Sequence, residues 1–64
     1  MYTDYLFEIT DEDSDYCGEQ FFVECKKGED PWIVVQMNFC TTEGIELIGK
    51  YTPEEAEILG YDTY

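Results

Sequence analysis

Apolar and polar residues alternate with period two over Tyr2 to Thr10. Tyr5, Phe7 and Ile9 fall on one face and Asp4, Glu8 and Thr10 on the other, which predicts a half-buried strand with Leu6 as its exception. Asp11-Glu12-Asp13-Ser14-Asp15 ends the alternation with turn-forming residues of like charge, and the loop is expected to continue through Tyr16, Cys17 and Gly18. A second strand is predicted over Glu19 to Lys27, with Phe21, Val23 and Cys25 inward and Gln20, Phe22, Glu24 and Lys26 outward.

The longest apolar and β-branched run, Trp32 to Phe39, reads as the central strand. Ile33, Val35, Met37 and Phe39 would then share one face, and Trp32, Val34, Gln36 and Asn38 the other. Lys27-Gly28-Glu29-Asp30-Pro31 favours a turn, so the second strand and this run are expected to form a hairpin. Thr41 to Gly44 supplies another turn. Ile45 to Tyr51 predicts a fourth strand, in which Gly49 marks a bulge or an end.

Thr52 to Gly60 spells a short helix. Thr52 suits the N-cap, Pro53 the first helical position, Glu55 the far side of a Thr-x-x-Glu capping box, and Gly60 the left-handed stop that lets Tyr61 fold back. Two turns are too few to stand alone, so Ala56, Ile58 and Leu59 are expected to dock on the sheet, and Tyr61 to Tyr64 to pack there or fray. The fold class is therefore α+β: one acidic domain over residues 1–64, a small antiparallel three- to four-stranded β-meander with one short C-terminal helix. One helix cannot cover both faces of a sheet. Leu6, Phe22, Val34 and Ile48 are expected to form an apolar patch that a homodimer or a partner would cover.

Charge changes this picture most. Sixteen acidic residues stand against three lysines, with no arginine or histidine, for a formal charge of −13. A chain that is 44% apolar with eleven aromatic residues still has the material for a core, so the charge belongs on its surface. A compact chain of this length is roughly 28 Å across, about one net charge per 2 Å. Duplex DNA carries one per about 1.7 Å of axis. Such a surface repels nucleic acid and anionic membranes, and without arginine it cannot clamp a phosphate in bidentate fashion. It attracts basic proteins.

No catalytic constellation stands out. Cys17, Cys25 and Cys40 are an odd set without a histidine to act as base or to complete a zinc site; Cys25 and Cys40 read as small buried hydrophobes and Cys17 as exposed. Asp11-x-Asp13-x-Asp15 opens like an EF-hand calcium loop, but the sixth position is Tyr16 where glycine is required and the twelfth is Phe22 where glutamate is required. No cofactor or metal is implied. There is no apolar stretch of about 20 residues and no signal-peptide order at the N-terminus, so a cytoplasmic chain is expected, in the host cytoplasm if phage-encoded.

The expected function is a non-catalytic inhibitor that mimics nucleic acid and blocks the basic site of a nucleic-acid-binding protein or nuclease. Asp11, Glu12, Asp13, Asp15, Glu54, Glu55 and Glu57 would supply the charge, and Tyr16 and Trp32 the flat anchors. In size, charge and β-rich make-up the chain resembles the DNA-mimicking proteins that phages make against restriction, CRISPR or DNA-repair enzymes. No family motif carries that resemblance, so it transfers no functional residues. The alternative is a dimeric interaction module whose charge serves only solubility.

Overall fold

The computed structural model describes residues 2–64. In chain order the elements are β1 (Tyr2–Ile9), β2 (Gln20–Lys26), α1 (Pro31–Phe39), β3 (Ile45–Tyr51) and α2 (Pro53–Leu59). The molecule is broadly α+β, with three strands, the lower of the expected three to four, and two short helices where one was expected. β1 lies in the middle, antiparallel to both neighbours, in the order β2-β1-β3. The sheet is thus no simple meander: β2 and β3 run the same way on either side of β1, and α1 makes the crossover that such strands need.

The Trp32 to Phe39 run is helix, not the central strand, and Lys27 to Pro31 is not a hairpin turn. Asp30 caps the helix by accepting a hydrogen bond from the Trp32 N–H (3.0 Å), Pro31 occupies the first turn, and Cys40 closes the far end with its N–H on the Gln36 carbonyl. The period is helical. Pro31 and Val35 are buried and Trp32, Val34 and Phe39 half-buried, whereas Ile33 and Met37, one turn apart, face outward, Met37 at 77% exposure. Tertiary context overrides the β-branched composition here. β1 already has both edges paired, and the run is worth more as a cover for the sheet face than as another strand beside it.

That face carries Phe7 from β1 and Phe21, Val23 and Cys25 from β2, the inward set expected for β2, packed with Val35 of α1. Phe7 meets the edge of Trp32 at 4.8 Å between ring centroids. The opposite face holds Leu6 and Phe22 under Ala56 of α2, with Tyr51 alongside. Leu6 and Phe22 are therefore core, not the exposed patch the alternation suggested, because α2 covers their side of the sheet.

α2 forms as its sequence specifies: Thr52 accepts from the Glu55 N–H (3.2 Å), Glu55 accepts from the Thr52 N–H (3.0 Å), and Gly60 takes the left-handed conformation. Only Ala56 docks fully. Ile58, about 200° further round the helix, is 84% exposed, and Leu59 is exposed too. Tyr61 to Tyr64 packs along the outer edge of β2. The Phe22 N–H donates to the Asp62 carbonyl (2.7 Å), the Tyr64 N–H to the Phe22 carbonyl (2.8 Å), and the Glu24 N–H to the Tyr64 carbonyl (3.1 Å), while the Tyr64 ring stands edge-on to Phe21 and Phe39. On the other side β3 is bulged. Leu6 faces Gly49 and Phe7 faces Leu47, so Ile48 is the extra residue, beside the glycine that the sequence marked.

Cys25 is buried, and burial, followed by the charges of Glu29, Asp30 and Asp4, pushes its thiol up from the ordinary value. Cys40 is not the buried hydrophobe expected of it. It is exposed because it serves as the left-handed cap of α1 (φ 61°). Among the described residues no helix is long and apolar enough to cross a membrane.

Two positions give measurable consequences. Asp4 is a carboxylate at 3% exposure on the strand that everything else packs against, and its Oδ1 has no hydrogen-bond partner. Burial, and then the charge of Glu24 directly opposite on β2, raise its pKa. A carboxyl raised in the folded state favours folding only below its unfolded value and loses that contribution as pH climbs through the raised one. Asp4→Asn is therefore expected to stabilise the protein by about 1 kcal/mol at pH 7 in urea unfolding, with the gain vanishing in acid below the ordinary carboxyl range. Gly44, at φ +72°, joins the two loops at one end of the sheet: its carbonyl accepts from the Thr10 N–H (2.7 Å) and the Asp11 N–H (3.3 Å). A Cβ there would lie 2.6 Å from Asp11 Cβ and 3.4 Å from its Cα. Gly44→Ala should lower stability by about 2 kcal/mol, roughly a 10 °C fall in Tm. Gly28→Ala, at φ +90° with open space around it, should lose only about half as much.

Candidate functional site

The strand register brings the ends of three elements together. The last residues of β1 pair with the first of β2 (Glu8 with Gln20) and the first of β3 (Ile9 with Ile45), and the C-terminus of α1 arrives beside them at Phe39. The loop between β1 and β2 and the turn before β3 therefore share one end of the sheet. Asp11, Glu12, Asp13, Asp15 and Glu19 come from the loop, Glu43 from the turn, and Glu8 and Glu46 from strand positions directly opposite one another. Half of the sixteen carboxylates lie there.

All three lysines lie in the other half of the sheet. Lys26 pairs with Tyr2, Lys27 follows it, and Lys50 pairs with Tyr5, its Nζ 5.9 Å from the centre of that ring. The lysines are thus confined to one half of the sheet, which Asp4, Glu24, Glu29, Asp30 and the α2 glutamates still leave net acidic, while the loop end carries acids and no cation. Opposed Glu8 and Glu46 repel one another, and a hydrogen bond from Gln20 Nε2 to Glu8 Oε1 (2.9 Å) holds one of the pair.

Tight turns shape the loop. Asp11 Oδ1 accepts from the Asp13 N–H (3.0 Å), Ser14 Oγ from the Tyr16 N–H (3.1 Å), and backbone bonds from Ser14 to Asp11 and from Glu19 to Tyr16 close successive bends. One oxygen of Asp11 is thus turned back into its own loop. Among the described residues no three histidine, cysteine or acidic side chains are grouped to hold a metal ion.

Between this loop and the 41–44 turn lies a cleft of about 280 Å³. Half-buried Ile9, Phe39 and Ile45 are its apolar surface, while Asp11, Glu19, Glu43 and Tyr16, all exposed, stand around them. Tyr16 is 62% exposed and lies against this opening. The arrangement offers charge and an apolar recess.

The residues singled out from sequence separate into three places. Asp11, Glu12, Asp13, Asp15 and Tyr16 lie together on the acidic end. Trp32 is in the first turn of α1, half-buried against Phe7. Glu54, Glu55 and Glu57 belong to α2, which starts beyond the far end of β3, and Glu55 is engaged in the helix cap. Glu19 and Glu43 join the acidic end without having been singled out. Each sits in an ordinary-looking turn, and only the register of β1 with β2 and β3 makes them neighbours of Asp11.

No protein-family model, no curated protein and no solved structure matches this chain.

Proposed function

We propose that the protein is a small acidic inhibitor that mimics nucleic acid and occupies a basic nucleic-acid-binding site on another protein. The observation that carries this is the polarised charge: eight carboxylates at the loop end of the sheet, with every lysine in the opposite half. A surface of one sign without interspersed cations sets up a field that steers a basic groove toward it and aligns it on arrival. Inhibition then needs only steric and electrostatic competition with the natural polyanion.

A second reading, an interaction module held by apolar contacts, is favoured by exposed Ile48, Ile58 and Leu59, which belong to neighbouring β3 and α2, and by Ile33 and Met37 on the outer side of α1. Such a contact would be nearly indifferent to salt.

Capture from lysate at low salt, with mass spectrometry and duplex DNA as competitor, tests the first reading. The expected outcome is a set of nucleic-acid-binding proteins that DNA displaces and that the variant D11N/E12Q/D13N/D15N no longer retains. Retention of the same proteins by that variant, undisturbed by DNA, would overturn it.

A further inference from the structure

The mimicry reading accounts for the carboxylates but not for the recess between them. A surface that only imitated phosphates would need no apolar floor, yet Ile9, Phe39 and Ile45, the margin of the core around Phe7, Phe21 and Val35, are left half-open at the acidic end, where they line the cleft. At about 280 Å³ the cleft is just under the size that drug-sized ligands occupy, which suits one side chain rather than a helix or strand. Its occupant must combine an apolar stem with a positive head. Two natural side chains do so, lysine and arginine.

We propose that this cleft seats a single arginine side chain of the basic partner, as the anchor of the interface; the inference rests on the acidic end being the recognition surface. The methylene stem would lie on Ile9, Phe39 and Ile45. The head would reach Asp11, Glu19 and Glu43, which approach from two different chain segments and so surround a planar, multiply donating group better than a point charge. Tyr16, exposed at the same opening, offers a ring face on which a guanidinium stacks. Close approach of Gly44 to Asp11 holds the two walls together, so the recess exists before the partner arrives.

The probe is the tripeptide acetyl-Gly-Arg-Gly-amide, titrated into the isotope-labelled full chain and followed by amide chemical shifts, with acetyl-Gly-Lys-Gly-amide as comparison. The arginine peptide is expected to bind saturably in the millimolar range, with the largest shifts at Ile9, Tyr16, Phe39 and Ile45, and more tightly than the lysine peptide. Glu43→Gln and Glu19→Gln should each weaken it about two- to fivefold. Glu29→Gln, which makes the same charge change near the lysines and keeps an acceptor for the Lys26 N–H, should leave it unchanged. Equal binding of the two peptides, shifts spread over the whole acidic surface, or an equal loss in Glu29→Gln would each overturn the proposal. No partner protein enters this titration, so the anchor can fail while lysate capture still supports mimicry, and the reverse outcome is equally distinguishable.

Discussion

The structure depends on β1 being enclosed on every side. Its two edges pair with β2 and β3, α1 packs on one face of the β1–β2 pair and α2 on the other, and these two strands together separate the two core clusters. Phe7 and Leu6, adjacent in sequence, supply the opposite cores. A chain of 64 residues buries only about 60% of the area it exposes when unfolded, so there is little surplus to lose. That makes the carboxylate of Asp4, on the same strand and with a partnerless Oδ1, the conspicuous local conflict, since the other buried side chains among the described residues are apolar.

Enclosing β1 also dictates where charge can go. With both faces occupied by short helices and the outer edge of β2 covered by Asp62 to Tyr64, the polar loops are collected at the ends of the strands. The topology then makes the two ends unequal. The loop after β1 and the turn before β3 carry acids and no lysine, whereas Lys26 ends β2, Lys27 follows it ahead of Glu29 and Asp30, and Lys50 lies one residue from the end of β3. The Cα trace measures 35 × 24 × 15 Å, a slab rather than the roughly 28 Å sphere that compactness alone suggests. On a slab, charge at one end is a directional feature.

Two junctions show what was legible in the sequence and what was not. Thr52-Pro53 and Asp30-Pro31 carry the same helix-start chemistry, a capping side chain followed by a proline in the first turn. The first precedes Glu, Ala and Leu and reads at once as helix. The second precedes Trp-Ile-Val-Val, whose branching favours strands, and the composition outweighed the cap. Once α1 is a helix, β3 must cross to the free edge of β1, and the four-stranded meander gives way to β2-β1-β3. The inward set of β2, the bulge beside Gly49 and the cap of α2 were all readable because each depends on neighbours in sequence. Glu19, Glu43 and Ile45 were not readable as companions of Asp11, because their meeting depends on a register that no local pattern encodes.

Recognition by charge at the loop end can be measured directly. Its measurement is the salt dependence of affinity for a captured partner between about 50 and 200 mM, for the natural chain and for D11N/E12Q/D13N/D15N. A steep fall of affinity with rising salt is expected for the natural chain, and a clearly shallower one once the four loop carboxylates are neutralised. A natural chain whose affinity stays flat across that range, or two slopes that coincide, would contradict it.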